Sequence, residues 1–429
     1  MEELNISGVN EKYYLDETDE TSSGLPIIMW VNEKVNNFYI TLNCKYGSID
    51  TEFSVQGENY EVPNGIAHFL EHVNFALPGG SDATDYFSEL GSSSNAFTTT
   101  EYTSYEVFAS SNFKENLEHL LNFVFTPYFT EANVKKEKGI ITEEVKMGKN
   151  NPGHVFYYGA NECIYVKDKR KNLVTGEVED VKKTTKEDLE LVYNTFYHPK
   201  NMFLVITGNF NPFEAAAIVK ENMNSKEFAS YQEPVKKRVN EPVMVNIPFK
   251  EETGNVELPK LKVTYKIDRD NFKNLDDLEL RIYTGMILRN NFGATSLFKE
   301  ELLENELITM LSYEREINSN ILIISIIAET KYPTEVIDKI RHQMENLSIN
   351  NEDLTRRKRC NIAALINDYD DIEYVNSEIQ DSIITYGEIK ADMFEVYNNC
   401  KIDIANKVIK GINTENESIY ILKSKKSNS

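Results

Sequence analysis

The sequence predicts an α+β protein of two similar domains, each with a mixed or antiparallel sheet packed by helices. Three observations support this prediction. The chain has 429 residues, more than one ordinary hydrophobic core accommodates. Strand-like and helix-like apolar patterns alternate along its length. The order strand, helix, strand pair, helix occurs in the first half and recurs in the second, so we expect the two halves to share one architecture.

The composition is typical of a folded protein with an acidic surface. Apolar residues make up 41% and charged residues 27% of the chain, which are ordinary values for a globular protein. The formal net charge of -23 argues against nucleic-acid binding, because phosphate groups require a basic protein face. No apolar run approaches the roughly 18 residues that cross a bilayer, so we expect no membrane association.

The cysteines indicate a reducing compartment. Cys44, Cys163, Cys360 and Cys400 are scattered without Cys-x-x-Cys spacing, and no basic, apolar leader segment precedes them. We therefore expect reduced thiols and a cytoplasmic location.

The first half begins with two apolar strands and continues into a helix. Segments 27–30 and 38–42 predict a pair of strands. The apolar spacing becomes helical between residues 62 and 77, and Pro78-Gly79-Gly80 then supplies two of the strongest helix breakers. The segment His-Phe-Leu-Glu-His at 68–72 is therefore expected to lie on a helix.

Further elements complete the first half. In chain order, the patterns predict a helix over 85–90, a strand-like stretch over 95–110, helices over 116–125 and 131–147, and a buried strand over 202–207. Thr184 with Glu187 forms a capping-box pattern at the start of a helix that reaches residue 197. Asn211 before Pro212 is typical of the residue that caps a helix start.

A polar segment separates the two predicted domains. Residues 226–250 contain three prolines and the basic cluster Lys236-Lys237-Arg238, a composition typical of a linker. We therefore predict a first domain over 1–225 and a second, homologous domain over 251–429. In the second domain the patterns predict a strand over 263–267, a helix over 276–292, a strand pair containing Tyr313 and 321–328, and helices beginning at Pro333 and Glu352. The helix 276–292 contains no histidine, so only the first domain can carry a site like that at 68–72.

His68, Glu71 and His72 are expected to share one helix face, because residues three and four positions apart are neighbours on a helix. Two imidazoles in one turn can bind a single zinc ion, and a catalytic zinc site adds a third protein ligand and leaves one position open for water. Glu71 is better suited as the general base, which takes a proton from water and passes it to the departing amine.

The third ligand is expected on the helix over 131–147. Glu137 and Glu144 return to nearly the same face after seven residues, whereas Glu143 points about 100° away. We predict that Glu144 is the third ligand of a Zn²⁺ cofactor. Glu137 is predicted to orient a ligand imidazole from outside the coordination sphere.

A simpler structural interpretation competes with the metal site. Two histidines at helical spacing often form no more than a polar helix face. Only six histidines occur in the whole chain, however, and two of them fall in this pattern, with paired glutamates on another predicted helix. This combination favours the metal site.

These residues make the sequence resemble the inverzincins, the pitrilysin and insulinase family of metallopeptidases. The family signature is His-x-x-Glu-His followed about 70 to 80 residues later by Glu. In this chain Glu144 follows His72 by 72 residues (144 − 72). The likeness is greatest to half-length bacterial members, including those linked to modification of the translation factor EF-P and to bacteriocin maturation. Other matching segments are 45–50, 65–67, 94–98, 137–144, 196–202 and 292–298.

The resemblance implies a zinc-dependent endopeptidase that acts on short unfolded peptides. Family members bind a peptide as an added strand on a sheet edge, and Asn95 and Ala96 match the positions that do so. The alternative for Asn95 is a turn residue that stabilises its own loop. Because family members usually close a chamber with four domains, the resemblance also implies a homodimer or a heterodimer with another half-length member.

The sequence departs from the family in the second domain. Many active relatives carry an Arg and a Tyr there that hold the substrate and stabilise the oxyanion, at positions that fall near Leu303 and at Thr309 or Met310. Tyr313 and Arg315 are nearby substitutes, although an ordinary strand surface also explains them. This departure leaves a second hypothesis, a non-catalytic peptide-binding or assembly subunit of a peptidase complex with the same fold.

Overall fold

The computed structural model describes residues 2–4, 12–17, 23–318, 320–390 and 393–425. The strands are β1 (Glu2–Leu4), β2 (Lys12–Glu17), β3 (Pro26–Val31), β4 (Phe38–Cys44), β5 (Glu52–Val55), β6 (Glu58–Glu61), β7 (Ser93–Thr98), β8 (Thr103–Ala109), β9 (Met202–Gly208), β10 (Val235–Lys236), β11 (Phe249–Gly254), β12 (Lys260–Asp268), β13 (Met310–Asn318), β14 (Ile321–Glu329) and β15 (Glu417–Ser424).

The helices are α1 (Ile66–Asn74), α2 (Ala83–Glu89), α3 (Phe113–Phe125), α4 (Glu131–Asn150), α5 (Pro152–Ile164), α6 (Val178–Lys183), α7 (Lys186–Phe196), α8 (Pro212–Asn224), α9 (Asp277–Phe292), α10 (Leu297–Glu304), α11 (Pro333–Glu345), α12 (Asn351–Asp368), α13 (Ile372–Tyr386), α14 (Met393–Asn399) and α15 (Ile402–Gly411). Within the described residues, none of these helices combines the length and the apolar character that crossing a bilayer requires.

The chain divides into two compact units, and each consists of sheet and helices, which confirms the predicted α+β class. The first unit comprises Met1–Val145, Leu173–Lys237 and Leu365–Asp392, and the second comprises Lys146–Asn172, Arg238–Ala364 and Met393–Ser429. These units are not contiguous in sequence. The contiguous domains 1–225 and 251–429, whose first and last residues lie outside the described part, and the linker 226–250 stay a prediction.

The first unit contains a mixed seven-stranded sheet in the order β1-β2-β3-β9-β4-β8-β7. β3 and β9 run parallel, with Ile27 opposite Leu204, and the other neighbours are antiparallel. The prediction that segments 27–30 and 38–42 pair with each other is wrong, because β9 lies between β3 and β4. The strand β7 forms one edge of the sheet.

The central strands of this sheet are buried on both faces, which explains their continuous apolar sequences. Ile27 and Met29 pack into the core with residues of α1, α3, α7 and α8. The alternate residues Ile28 and Trp30 face the other way and pack against α13. α13 is also fixed by a buried hydrogen bond, in which Thr41 Oγ1 donates to Asn376 Oδ1 at 2.7 Å.

The capping box of α7 lies one residue later than the sequence predicted. Thr185, not Thr184, is the N-cap. The side chain of Asp188, not Glu187, accepts the reciprocal hydrogen bond from the Thr185 backbone N–H at 2.8 Å. Thr184 instead donates its hydroxyl to the carbonyl of Asp180 at the end of α6.

The second unit contains a five-stranded sheet in the order β11-β15-β12-β14-β13. β11 and β15 are parallel, and the remaining pairs are antiparallel. One face packs in a core with residues of α9, α11 and α15. On the other face, Phe156 and Ala160 of α5 pack against Tyr420 and Leu422 of β15.

A buried ion pair fixes part of the segment that was predicted as a linker. The Lys266 Nζ of β12 lies 2.7 Å from Glu241 Oε1, and the two side chains are 0% and 2% exposed. The same carboxylate accepts hydrogen bonds from the backbone N–H groups of Val166, Lys167 and Asp168 at 2.7 to 2.8 Å. Glu241 therefore ties the chain before β11 to the turn after α5.

We predict that Lys266→Met lowers the free energy of unfolding by about 3 to 5 kcal/mol, because it leaves the Glu241 carboxylate buried without its counter-ion. The urea midpoint of the full chain measures the change. The control is Lys339→Met, which breaks an exposed pair with Glu301 and should change stability by no more than about 1 kcal/mol. Equal midpoints for the two variants would contradict the prediction.

Candidate metal centre

The helix α1 is fixed at its start by a glycine. Gly65 is the N-cap and has φ 81, a backbone conformation that glycine adopts without strain. A Cβ at Gly65 would lie 2.2 Å from the carbonyl oxygen of Thr175, so any other residue would push the two segments apart. The side chains that follow are buried except for His72, which is partly exposed. The backbone of α1 is thus held on several sides.

His68 and His72 of α1 face Glu144 of α4. His68 Nε2 lies 3.5 Å from Glu144 Oε1, and His72 Nε2 lies 3.5 Å from Glu144 Oε2. One ligand atom from each of these three residues lies within 4.8 Å of the others. His68 is 8% exposed, whereas the Glu144 side chain is 44% exposed. The cluster is therefore anchored in the protein and open on its carboxylate side.

The spacing of these atoms fits a zinc ion. Donors at about 2.0 to 2.2 Å from a tetrahedral zinc lie about 3.3 to 3.6 Å from one another. The separations of 3.5 Å from His68 to one Glu144 oxygen and from His72 to the other fall in that interval. They are longer than the usual N–H···O hydrogen bond of about 2.9 Å. Two imidazoles and one carboxylate are also a donor set that zinc uses in hydrolytic enzymes.

Glu137 supports the ring of His72 from the opposite side. His72 Nδ1 lies 3.4 Å from Glu137 Oε2, and Glu137 is 8% exposed. A carboxylate there holds the proton on Nδ1 and leaves Nε2 available as a ligand atom. His68 Nδ1 is buried and has no hydrogen-bond partner among the described residues. Among the described residues, a carboxylate thus contacts the Nδ1 atom of His72 but not that of His68.

Glu71 is held by a residue for which the sequence had suggested no role. Thr98 Oγ1 donates a hydrogen bond of 2.6 Å to Glu71 Oε2. Thr98 ends β7, so this bond connects the edge strand of the sheet to the carboxylate between the two histidines. The segment 94–98 resembled the family, but no local pattern indicates that a threonine reaches a glutamate 27 residues away.

The charges in the cluster set the protonation of its members. Burial acts to lower the pKa of His72, but the carboxylates of Glu137 and Glu144 outweigh it and raise the pKa to about 9. The adjacent imidazoles of His68 and His72 hold the pKa of Glu144 well below its usual range. Burial raises the pKa of Glu71, against the opposing charge of His68 and the Thr98 hydrogen bond. A raised pKa makes Glu71 a better proton acceptor near neutral pH.

Asn95 and Ala96 lie on β7, whose other side has no neighbouring strand within the described residues. Asn95 is exposed and Ala96 is partly buried. β7 pairs with β8 through the register Asn95 opposite Glu106 and Ala96 opposite Tyr105. Asn95 is therefore part of a regular strand and not of a turn, and the edge has the geometry that β-strand addition requires.

The proposed substitutes for the missing Arg and Tyr lie on β13 of the second unit. Tyr313 is partly buried and packs against the core of that unit. Arg315 donates from Nε to the carbonyl oxygen of Arg281 at 2.9 Å. Leu303 is exposed near the end of α10, and Met310 begins β13. The catalytic use of Tyr313 or Arg315 stays a prediction.

Two protein-family models match this chain. The model of insulinase (Peptidase family M16) matches residues 55–163, and the model of the peptidase M16 inactive domain matches residues 183–359. The first match contains His68, Glu71, His72 and Glu144. The second match begins after all four of these residues.

Similarities to individual relatives and to a solved structure agree with these family matches. The chain is 38% identical over 289 residues to the uncharacterized zinc protease YmfH of Bacillus subtilis (strain 168), covering 67% of each protein. It is 26% identical over 215 residues to the putative zinc protease AlbF of Bacillus subtilis, covering 48% of this chain and 50% of AlbF. A crystal structure of a putative M16-like peptidase from Alicyclobacillus acidocaldarius matches with a TM-score of 0.90 and 25% identity, covering 97% and 99% of the two chains.

We predict that Glu144→Gln strongly weakens zinc binding, because the neutral amide is a much poorer ligand than the carboxylate. Glu143→Gln is the matched control, since Glu143 is the exposed neighbour on the same helix and carries the same charge. Zinc content after dialysis, measured by mass spectrometry, should fall well below one ion per chain for the first variant and stay near one for the second. The opposite order would place the ligand at Glu143.

Proposed function

This chain belongs to the insulinase family of peptidases, peptidase family M16, and on that premise we propose that it is a zinc-dependent endopeptidase. Its substrates are short unfolded peptides. The observation that carries the proposal is the convergence of His68, His72 and Glu144 beside a buried glutamate that is not needed as a ligand.

The residues of the site divide the chemistry between them. His68, His72 and Glu144 would hold Zn²⁺, which would serve as a Lewis acid toward the peptide carbonyl and would lower the pKa of a nearby water. Glu71 accepts a proton from the attacking water at one carboxylate oxygen while the hydroxide adds to the carbonyl carbon. When the C–N bond breaks, Glu71 returns that proton to the departing amine. Thr98 fixes the other oxygen of Glu71 throughout.

The substrate is proposed to bind along β7. The free edge offers backbone N–H and C=O groups to an extended peptide, with Asn95 and Ala96 among the pairing residues. Backbone pairing tolerates many side chains but requires a strand that is not already part of a fold. Folded proteins should therefore be poor substrates.

All four cysteines are free thiols, in keeping with the proposed cytoplasmic location.

The second half lacks the Arg and the Tyr that many active relatives carry, and this favours one alternative function. The side chains of Leu303 and Met310 have no hydrogen-bond donor, and the Thr309 hydroxyl is directed at the carbonyl oxygen of Glu329. One missing oxyanion donor costs about 2.7 to 4 kcal/mol in other hydrolases. A non-catalytic peptide-binding or assembly subunit would have no need of such a donor. It would also have no need of Glu71 beside three metal ligands, which is why we favour the peptidase.

Glu71→Gln should abolish hydrolysis and leave zinc bound, because it removes the general base and keeps every ligand. Zinc content and the cleavage of an unstructured peptide are measured on the same preparation. Hydrolysis should fall at least about 10²-fold, the lower end of what general-base catalysis contributes. Cleavage at the wild-type rate by a zinc-loaded variant would remove Glu71 from this role, and a zinc-loaded wild type without any cleavage would favour the binding subunit.

We further propose that the working form is a dimer, either of two copies or with another half-length family member. A peptide at the metal needs a facing wall that excludes water and supplies the missing oxyanion donor. Light scattering at assay concentrations, alone and with any related chain from the same source, should show a particle of twice the mass whenever cleavage is efficient. A strictly monomeric chain that cleaves at full rate would contradict the dimer and direct attention to Tyr313 and Arg315.

A further inference from the structure

The second unit contains a buried arginine with few partners. Arg357 of α12 is 3% exposed. Its guanidinium donates to Thr295 Oγ1 at 3.2 Å and to Asn290 Oδ1 at 3.4 Å, both neutral atoms at long range. Its Nε is buried and has no hydrogen-bond partner among the described residues. A guanidinium has five N–H donors, so most of its bonding capacity is unused.

The charge of Arg357 is not neutralised by a direct ion pair, although the carboxylate of Asp353 offsets part of it from a longer distance. Within the described part of the chain, no Asp or Glu oxygen forms an ion pair with Arg357. The preceding residue, Arg356, takes the nearby carboxylate of Asp353 at 2.6 Å. A buried charge without a counter-ion is strongly unfavourable, and proteins rarely keep one unless it binds something. The chain has an excess of carboxylates, with a net charge of -23, which makes this exception more notable.

A second cation lies nearby. Arg289 of α9 donates to Asn361 Oδ1 at 2.8 Å and likewise has no ion pair with a described carboxylate. Arg289 adjoins Asn290, which accepts a hydrogen bond from Arg357. The partner of Arg289, Asn361, lies one turn after Arg357 on α12, so both arginines join α9 to α12. Burial, and then the charges of Arg356 and Arg289, lower the pKa of Arg357. Arg289 and Arg357 also oppose the rise that burial causes in the pKa of Tyr313. Arg289 and Arg357 thus place two positive charges between α9 and α12, and neither forms an ion pair with a described carboxylate.

The start of α10 contributes to the same region. Thr295, which receives the Arg357 hydrogen bond, is exposed and directly precedes Ser296, the N-cap of α10. The positive end of a helix dipole favours an anion there. Thr295 is thus the exposed member of this group, and a solute would approach the buried guanidinium from the side of Thr295.

We propose that Arg357, Arg289 and Thr295 form a binding site for the carboxylate of a peptide. The planar guanidinium donates two parallel hydrogen bonds to a carboxylate, and the Thr295 hydroxyl is within reach of the same group. The carboxylate belongs to the C-terminus of the peptide or to an acidic side chain. This inference rests on the proposed function, since it concerns which peptides this chain prefers.

Binding of matched peptides tests the site. The Glu71→Gln chain, loaded with zinc to prevent cleavage, is titrated with one fluorescently labelled unstructured peptide as the free acid and as the C-terminal amide. A third peptide is amidated and carries Glu, and a fourth replaces that Glu by Gln. Loss of the recognised carboxylate should weaken binding at least about tenfold. The acid–amide pair reports the C-terminus, and the Glu–Gln pair reports a side chain.

Variants assign the effect to the two arginines. Arg357→Met and Arg289→Met should each reduce the preference for the carboxylate to less than about twofold. Arg356→Met is the matched control, because it removes the same charge from the neighbouring exposed position and should keep the preference. Arg289 is partly exposed, so its variant remains informative if Arg357→Met fails to fold.

Three results would overturn the site. These are equal binding within both peptide pairs, a preference that survives in both Arg357→Met and Arg289→Met, or an equal loss in Arg356→Met. The outcome is separate from that of the proposed function. A wild-type chain that binds the acid selectively but cleaves nothing rejects the peptidase and keeps the site. A chain that cleaves peptides without any carboxylate preference keeps the peptidase proposal and rejects the carboxylate site.

Discussion

The contact between two imidazoles of α1 and two carboxylates of α4 is the interaction on which the rest of the structure's function depends. His68 is almost fully buried and His72 is partly buried, and each needs a polar partner where water is scarce. Glu144 faces both rings, and Glu137 faces the outer nitrogen of His72. These contacts bring the Glu144 carboxylate to 3.5 Å from each imidazole and leave the three donors close enough to bind one ion.

The same helix links the donors to the sheet. Glu71 emerges from α1 toward the end of β7, where Thr98 binds it. A substrate strand added to β7 would therefore lie beside the carboxylate to which we assign the proton transfers. Gly65 secures this arrangement from the other end, because only glycine permits the close approach of the Thr175 backbone. The proposed chemistry thus depends on one short helix, α1, with Gly65 at its start and Thr98 in contact with its Glu71.

The sequence predicted the parts of the site that depend on local geometry. His68, Glu71 and His72 fall on one face because a helix turns every 3.6 residues, and Glu137 and Glu144 follow from the same rule. It did not predict Thr98, because its contact with Glu71 depends on how β7 packs against α1. For the same reason the sequence placed β3 beside β4, although β9 separates them. It also could not show that α13 covers the first sheet or that Arg357 is buried, since both depend on packing between distant segments.

The most direct test of the account is the coordination of zinc in the purified full chain, measured by X-ray absorption at the zinc edge. The account predicts two imidazole nitrogens at about 2.0 to 2.1 Å and the remaining ligands as oxygen, with the same spectrum after Glu71→Gln. It also predicts that one imidazole contribution disappears in His68→Ala or His72→Ala if any zinc remains. A spectrum without imidazole, with sulfur ligands, or one that loses an oxygen ligand in Glu71→Gln would contradict the assignment of ligands and base.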